Sequence, residues 1–93
     1  DESVAADDLK TIREVIAIEA VGALEAHDLR TRHAGKVTFI DFHLVVDGGV
    51  PVAEAHDICD RIEQALKKRH AGTMITIHVE PEHKAKHNGV LVL

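Results

Sequence analysis

Val37-Thr38-Phe39-Ile40-Asp41-Phe42-His43-Leu44-Val45-Val46 is the stretch on which the fold turns. It is rich in β-branched and aromatic residues and bounded by turn residues, which marks a strand. Gly35 precedes it within His33-Ala34-Gly35-Lys36, and Asp47-Gly48-Gly49 follows. Upstream, Leu24 to Arg32 reads as a half-exposed strand, so the two segments form a hairpin with its turn at residues 33–36. Outside the hairpin the period changes to that of a helix. Leu9, Ile12, Ile16 and Ala20 recur at helical spacing, flanked by Ala5 and Val15. They predict a helix over about residues 4–20, with Ser3 as N-cap, Asp7 and Asp8 in the early turns, and an end near Gly22. Pro51 opens a second helix, because its missing N–H is an orphan in any first turn. Val52, Ala55, Cys59, Ile62 and Leu66 carry that helix to about Arg69, where Lys67, Lys68 and Arg69 suit the negative end of the dipole. Met74 to Glu80 is a third strand, stopped by Pro81.

The order is therefore α-β-β-α-β. Its economical packing is an α+β, ferredoxin-like open-faced sandwich, a three-stranded sheet with two helices on one face. Residues 1–81 make one domain and residues 82–93 read as a C-terminal tail. The chain has 93 residues, 45% of them apolar and 29% charged, which suits a single globular domain. Only 2% are aromatic, so the core must be built from Val, Ile, Leu and Ala. A domain this small gains from a partner subunit or a metal.

The net charge of −5 and the lack of Trp and Tyr argue against nucleic acid, which asks for excess Lys and Arg and for stacking rings. The single cysteine, Cys59, fits a reducing compartment and falls on the buried stripe of the second helix. No stretch has the length of a membrane span, and the acidic Asp1-Glu2-Ser3 is no signal sequence. No nucleophile elbow, P-loop or dinucleotide fingerprint occurs, so an enzyme is not expected.

Histidine is the anomaly. There are 8, where average usage gives about two. Imidazole is the commonest transition-metal ligand. Strand parity places Ile40, Phe42, Leu44 and Val46 on the helix side of the sheet, with Ile75, Ile77 and Val79 of the third strand. His43, His78 and Glu80 then share the helix-free face, a donor set suited to Zn²⁺. Each alone also reads as a solvated residue on an open face. His27 shares parity with Leu29 and Thr31, so it points at the core or marks a strand bend. His56 lies at the edge of the second helix, four residues before Asp60. His33 and His70 fall in turns and read as solvated. His83 and His87 are four apart, a chelating spacing only if that segment is helical.

Four segments carry a resemblance. His27-Asp28-Leu29-Arg30-Thr31-Arg32, Ile40-Asp41-Phe42-His43-Leu44-Val45-Val46-Asp47, Ala53-Glu54-Ala55-His56 and Ile77-His78-Val79-Glu80-Pro81 resemble, in order, the first strand, second strand, second-helix start and closing strand of the cytoplasmic C-terminal domain of cation diffusion facilitators. The similarity spans most of residues 5–81 and is nearest to the bacterial zinc and ferrous-iron efflux branch. It implies the cytoplasmic domain of an inner-membrane cation efflux transporter, a V-shaped homodimer joined to a transmembrane domain. It further implies a regulatory site for Zn²⁺ or another divalent cation such as Fe²⁺, Mn²⁺ or Cd²⁺. The ligands it implies are His27, His43, His78 and Glu80, with His56 approaching from the same or the partner subunit. That branch often has Asp where this chain has Glu80. The remaining readings are a stand-alone ferredoxin-like module sensing metal or a small ligand, and a dimerisation domain whose histidines are incidental.

Overall fold

The computed structural model describes residues 5–85. Helix α1 covers Ala6–Glu19, strand β1 Glu25–Ala34, strand β2 Val37–Val46, helix α2 Val52–Arg69 and strand β3 Thr73–Pro81, followed by a 3-10 turn at Glu82–Lys84. The expected order is present. The sheet runs β1-β2-β3, with β1 antiparallel to β2 and β3 parallel to it. A parallel neighbour requires a crossover connection, and α2 supplies it.

Both helices pack on one sheet face. Ile12, Val15, Ile16 and Ala20 of the α1 segment meet Ile58, Ile62 and Leu66 of α2 over Ile40, Phe42, Leu44 and Val46 of β2. Phe42 is the largest wholly buried side chain. Arg61 ties the helices together: its Nε–H donates to the Glu19 carbonyl at 2.9 Å and its Nη2 to the Val21 carbonyl, satisfying acceptors that the end of α1 leaves open. Gly22 turns the chain there at φ +101°, where a Cβ would stand 3.1 Å from Ile58 Cδ1.

The boundaries differ in instructive places. β1 runs on through His33 and Ala34, so the turn shrinks to Gly35 and Lys36, with Gly35 at φ +62°. The added residues pair across the hairpin, His33 with Thr38 and Ala34 with Val37, and beside them the Arg32 guanidinium lies 4.1 Å from the Phe39 ring centroid. α1 begins after Ala5 with no side-chain cap, and Ser3, read as the N-cap, lies outside the described residues. Past Pro81 the chain remains tied to the fold, because the Glu82 carboxylate accepts the N–H of Gly48. His87 and the apolar Val90–Leu93 lie outside the described residues. Val79 keeps the parity expected of it but is 46% exposed, because β3 is an edge strand that α2 covers only in part.

Candidate metal centre

The helix-free face carries two rows of side chains across the sheet. In the first, His27 is the register partner of His43, and His43 is the register partner of His78. In the second, Glu25 pairs with Val45 and Val45 with Glu80. The His27 and His43 rings stack with centroids 5.4 Å apart, and the His43 and His78 rings follow at 4.9 Å. Three imidazoles thus line up over three adjacent strands.

His27 reaches this row through a bulge. The register of β1 shifts between His27 and Arg30, where two residues of β1, Asp28 and Leu29, oppose one of β2, Phe42. Asp28 takes the left-handed conformation there, at φ 55°. Asp tolerates that region better than most residues because its short polar side chain can bond locally. The extra residue reverses parity, so His27 lies over His43 although Thr31 faces Ile40. Of the two positions its parity left open, His27 occupies the strand bend.

The donor atoms converge around Glu80. Its Oε1 lies 3.1 Å from His43 Nδ1 and 3.3 Å from His27 Nε2. This oxygen is withdrawn from solvent, yet neither contact has hydrogen-bond geometry among the described residues. Asp28 Oδ2 lies 3.9 Å from His27 Nε2. Donor atoms of His27, Asp28 and His43 fall within 4.8 Å of one another, the span that one cation bridges. Imidazole nitrogen with carboxylate oxygen is a donor set for Zn²⁺ and its neighbours. An orphaned buried carboxylate oxygen between two imidazole nitrogens is what a divalent cation would satisfy, so the residues fit such an ion.

His78 stands at the open end of the row, exposed, its ring against His43. His56 lies elsewhere. It is 70% exposed on α2, its Nδ1 is 3.2 Å from Asp60 Oδ2, and it groups with Asp57 and Asp60. It shares with Glu80 the lining of a cavity of about 490 Å³ between α2 and the edge of β3. Cys59 lines the same cavity and packs against the core. Burial pushes its thiol pKa up, and the nearby Glu63 and Asp60 carboxylates add to the rise. His33 is paired through Nδ1 with Thr38 Oγ1 at 3.0 Å. His70, expected in solvent, instead has Nε2 buried with no hydrogen bond among the described residues. His83 is exposed in the 3-10 turn.

Two acidic residues of the centre escaped the sequence reading. Asp28 was hidden by the bulge, which parity along an unbroken strand does not foresee. Glu25 was legible: residues two apart on a strand share a face, so Glu25-x-His27 places a carboxylate beside the imidazole.

A sequence model described as "Cation efflux protein, cytoplasmic domain" matches residues 4–82. The cation-efflux pump FieF of Pectobacterium atrosepticum is 43% identical over 81 residues, which is 87% of this chain and 27% of that protein. FieF of Escherichia coli O127:H6 is 41% identical over 71 residues, 74% of this chain and 24% of that protein. The chain thus spans about a quarter of the length of the curated relatives it matches. Among solved structures, the zinc form of CzrB is 46% identical and superposes with a TM-score of 0.83, covering 94% of this chain and 99% of that one. The metal-bound C-terminal domain of the CzcD transporter from Thermotoga maritima is 26% identical, with a TM-score of 0.72 over 89% of this chain and 100% of that one. No helix among the described residues is long and apolar enough to cross a membrane.

Proposed function

The chain belongs to the cation efflux protein family as its cytoplasmic domain, and from that premise we propose that it is the regulatory domain of a divalent-cation efflux transporter, binding a Zn²⁺-like cation near a homodimer interface and coupling that binding to transport. Transport itself would belong to a transmembrane domain of the same protein, in the cell's inner membrane. The observation that carries the reading is the approach of His27 Nε2 and His43 Nδ1 to the buried Oε1 of Glu80 on one sheet face. The zinc form of CzrB, at 46% identity, supports the choice of cation.

His27, His43 and Glu80 would hold the ion, with Asp28 and His78 beside them. Their strands fix the spacing of the donors before anything binds, which lowers the ordering cost of binding. A divalent cation supplies positive charge, and that charge offsets the carboxylates of Glu80 and Asp28. Each protomer carries a net charge of −5, so two copies repel one another. Neutralising part of that charge favours the closed pair, and whichever arrangement binds the cation better gains population. His56, exposed at the rim of the cavity that Glu80 also lines, is placed to complete the coordination from its own or the partner subunit.

Isothermal titration of the metal-free chain with Zn²⁺, with dimer size followed by sedimentation, tests the proposal. Saturable binding that His43→Ala combined with His78→Ala abolishes is the expected result. Unchanged binding in that variant would remove the sheet face as the site, and no binding in the wild type would end the metal-sensing reading.

A further inference from the structure

Glu25 and His27 stand side by side on the sheet face, both withdrawn from water at 0% and 2% exposure. Glu25 Oε2 lies 2.5 Å from His27 Nδ1. A carboxylate is rarely buried without a partner, because desolvation penalises it heavily. Glu25 occupies a row whose next member is the apolar Val45, where Val or Leu would pack without that penalty.

A neutral imidazole carries one proton and has two distinct nitrogens. A carboxylate at Nδ1 draws the proton there, and Nε2 is left with its lone pair. In His27, Nε2 is the nitrogen turned toward the rest of the centre, 3.3 Å from Glu80 Oε1. With the proton on Nδ1, Nε2 and Glu80 Oε1 are two acceptors facing one another. A cation between them would turn that facing of two acceptors into coordination, at an oxygen that is buried with no hydrogen bond among the described residues.

We propose that Glu25 is a positioning residue: it accepts the Nδ1–H of His27, fixes the tautomer, and holds the ring so that Nε2 is the ligating nitrogen. The inference rests on the metal-binding reading above and deepens it. Glu25 touches no cation itself. It raises the electron density of a ligand and removes the ligand's freedom to rotate, the outer role that commonly changes metal affinity by about 10–100-fold.

Long-range ¹H–¹⁵N spectra of the metal-free wild type report which nitrogen of His27 is protonated. The expected signature is a protonated Nδ1 and a bare Nε2. In Glu25→Leu that signature disappears, and Zn²⁺ affinity measured against a competing chelator falls by about 10–100-fold. A wild type with the proton on His27 Nε2 overturns the proposal without any variant, and so keeps it testable should Glu25→Leu not fold. A folded Glu25→Leu that retains the Nδ1–H signature and binds Zn²⁺ within twofold of wild type also overturns it. A wild type that shows the tautomer but binds no Zn²⁺ would end the metal-binding reading and, with it, the ligating role assigned to Nε2. Loss of this inference alone would appear as normal Zn²⁺ binding with the wrong tautomer.

Discussion

His27 and His43 are register partners whose rings stack at 5.4 Å, and they meet only because Asp28 adds one residue to β1. A strand without the bulge would turn His27 toward the side that Ile40 faces. The bulge therefore does for the first imidazole what plain alternation does for His43 and His78. It lies next to the donors, where a local bend re-aims one side chain at little expense to the rest of the sheet.

The bulge gives Asp28 a backbone role beside its proposed role as a donor, and substitutions separate the two. Asp28→Val places a β-branched residue at φ 55° and should destabilise the chain by about 1–2 kcal/mol, a fall in Tm on the order of 10 °C for a domain of this size. Asp28→Asn and Asp28→Gly tolerate the conformation and should melt close to wild type. A Tm of Asp28→Val within a degree or two of wild type in thermal unfolding by circular dichroism would show that the bulge is not under this constraint.

Zn²⁺ should stabilise the folded chain, because the unfolded chain has no assembled site. At free metal about 100 times Kd the gain is about 2.7 kcal/mol. The gain should shrink as pH falls, since protonated imidazole and carboxylate cannot ligate and protons compete with the cation. Melting curves with and without Zn²⁺, repeated from mildly alkaline to mildly acidic pH, measure this. A shift that grows on acidification would contradict histidine ligation.

The two histidine groups should behave differently when cut. His43 Nδ1 lies at the centre of the row, so His43→Ala should weaken Zn²⁺ by more than the roughly 10–100-fold expected of a residue that only orients a ligand. His56 is exposed and pairs only at the surface with Asp60, so His56→Ala should leave stability within about 0.5 kcal/mol. Chemical denaturation and titration of the two variants side by side check both statements. A His56→Ala chain that unfolds readily would mean that α2 depends on that residue.

Much of this was open to reading from residues alone, and the exceptions have physical causes. β2 announces itself because a central strand buried on one face alternates from Ile40 to Leu44, before Val45 and Val46 bury both faces at its end. The face of His43, His78 and Glu80 follows from that alternation. His27 resisted because periodicity carries no information about a bulge. β1 reaches Ala34 through cross-strand pairs, His33 with Thr38 and Ala34 with Val37, that no single-strand pattern encodes. His70 was read as solvated because turns usually lie at the surface, yet its Nε2 is enclosed.

Cys59 lies close enough to this chemistry to be mistaken for part of it. It shares the cavity lining with His56, Asp60 and Glu80. A thiol ligates and reacts as the thiolate, so what matters is how readily it ionises. Burial raises the Cys59 pKa, and the carboxylates of Glu63 and Asp60 raise it further. The folded chain therefore holds this proton more tightly than the unfolded chain does. Its contribution to stability is intact below the unfolded thiol pKa and is lost as pH rises through the folded one. At mildly alkaline pH, iodoacetamide should then modify the native chain more slowly than the urea-unfolded chain, the raised pKa and the partial cover acting together. If the ion sits on the sheet face as proposed, added Zn²⁺ should change the native rate little, because the proposed donors His27, His43 and Glu80 do not include this thiol. Rapid native alkylation that Zn²⁺ suppresses would instead make Cys59 a ligand and move the centre toward α2.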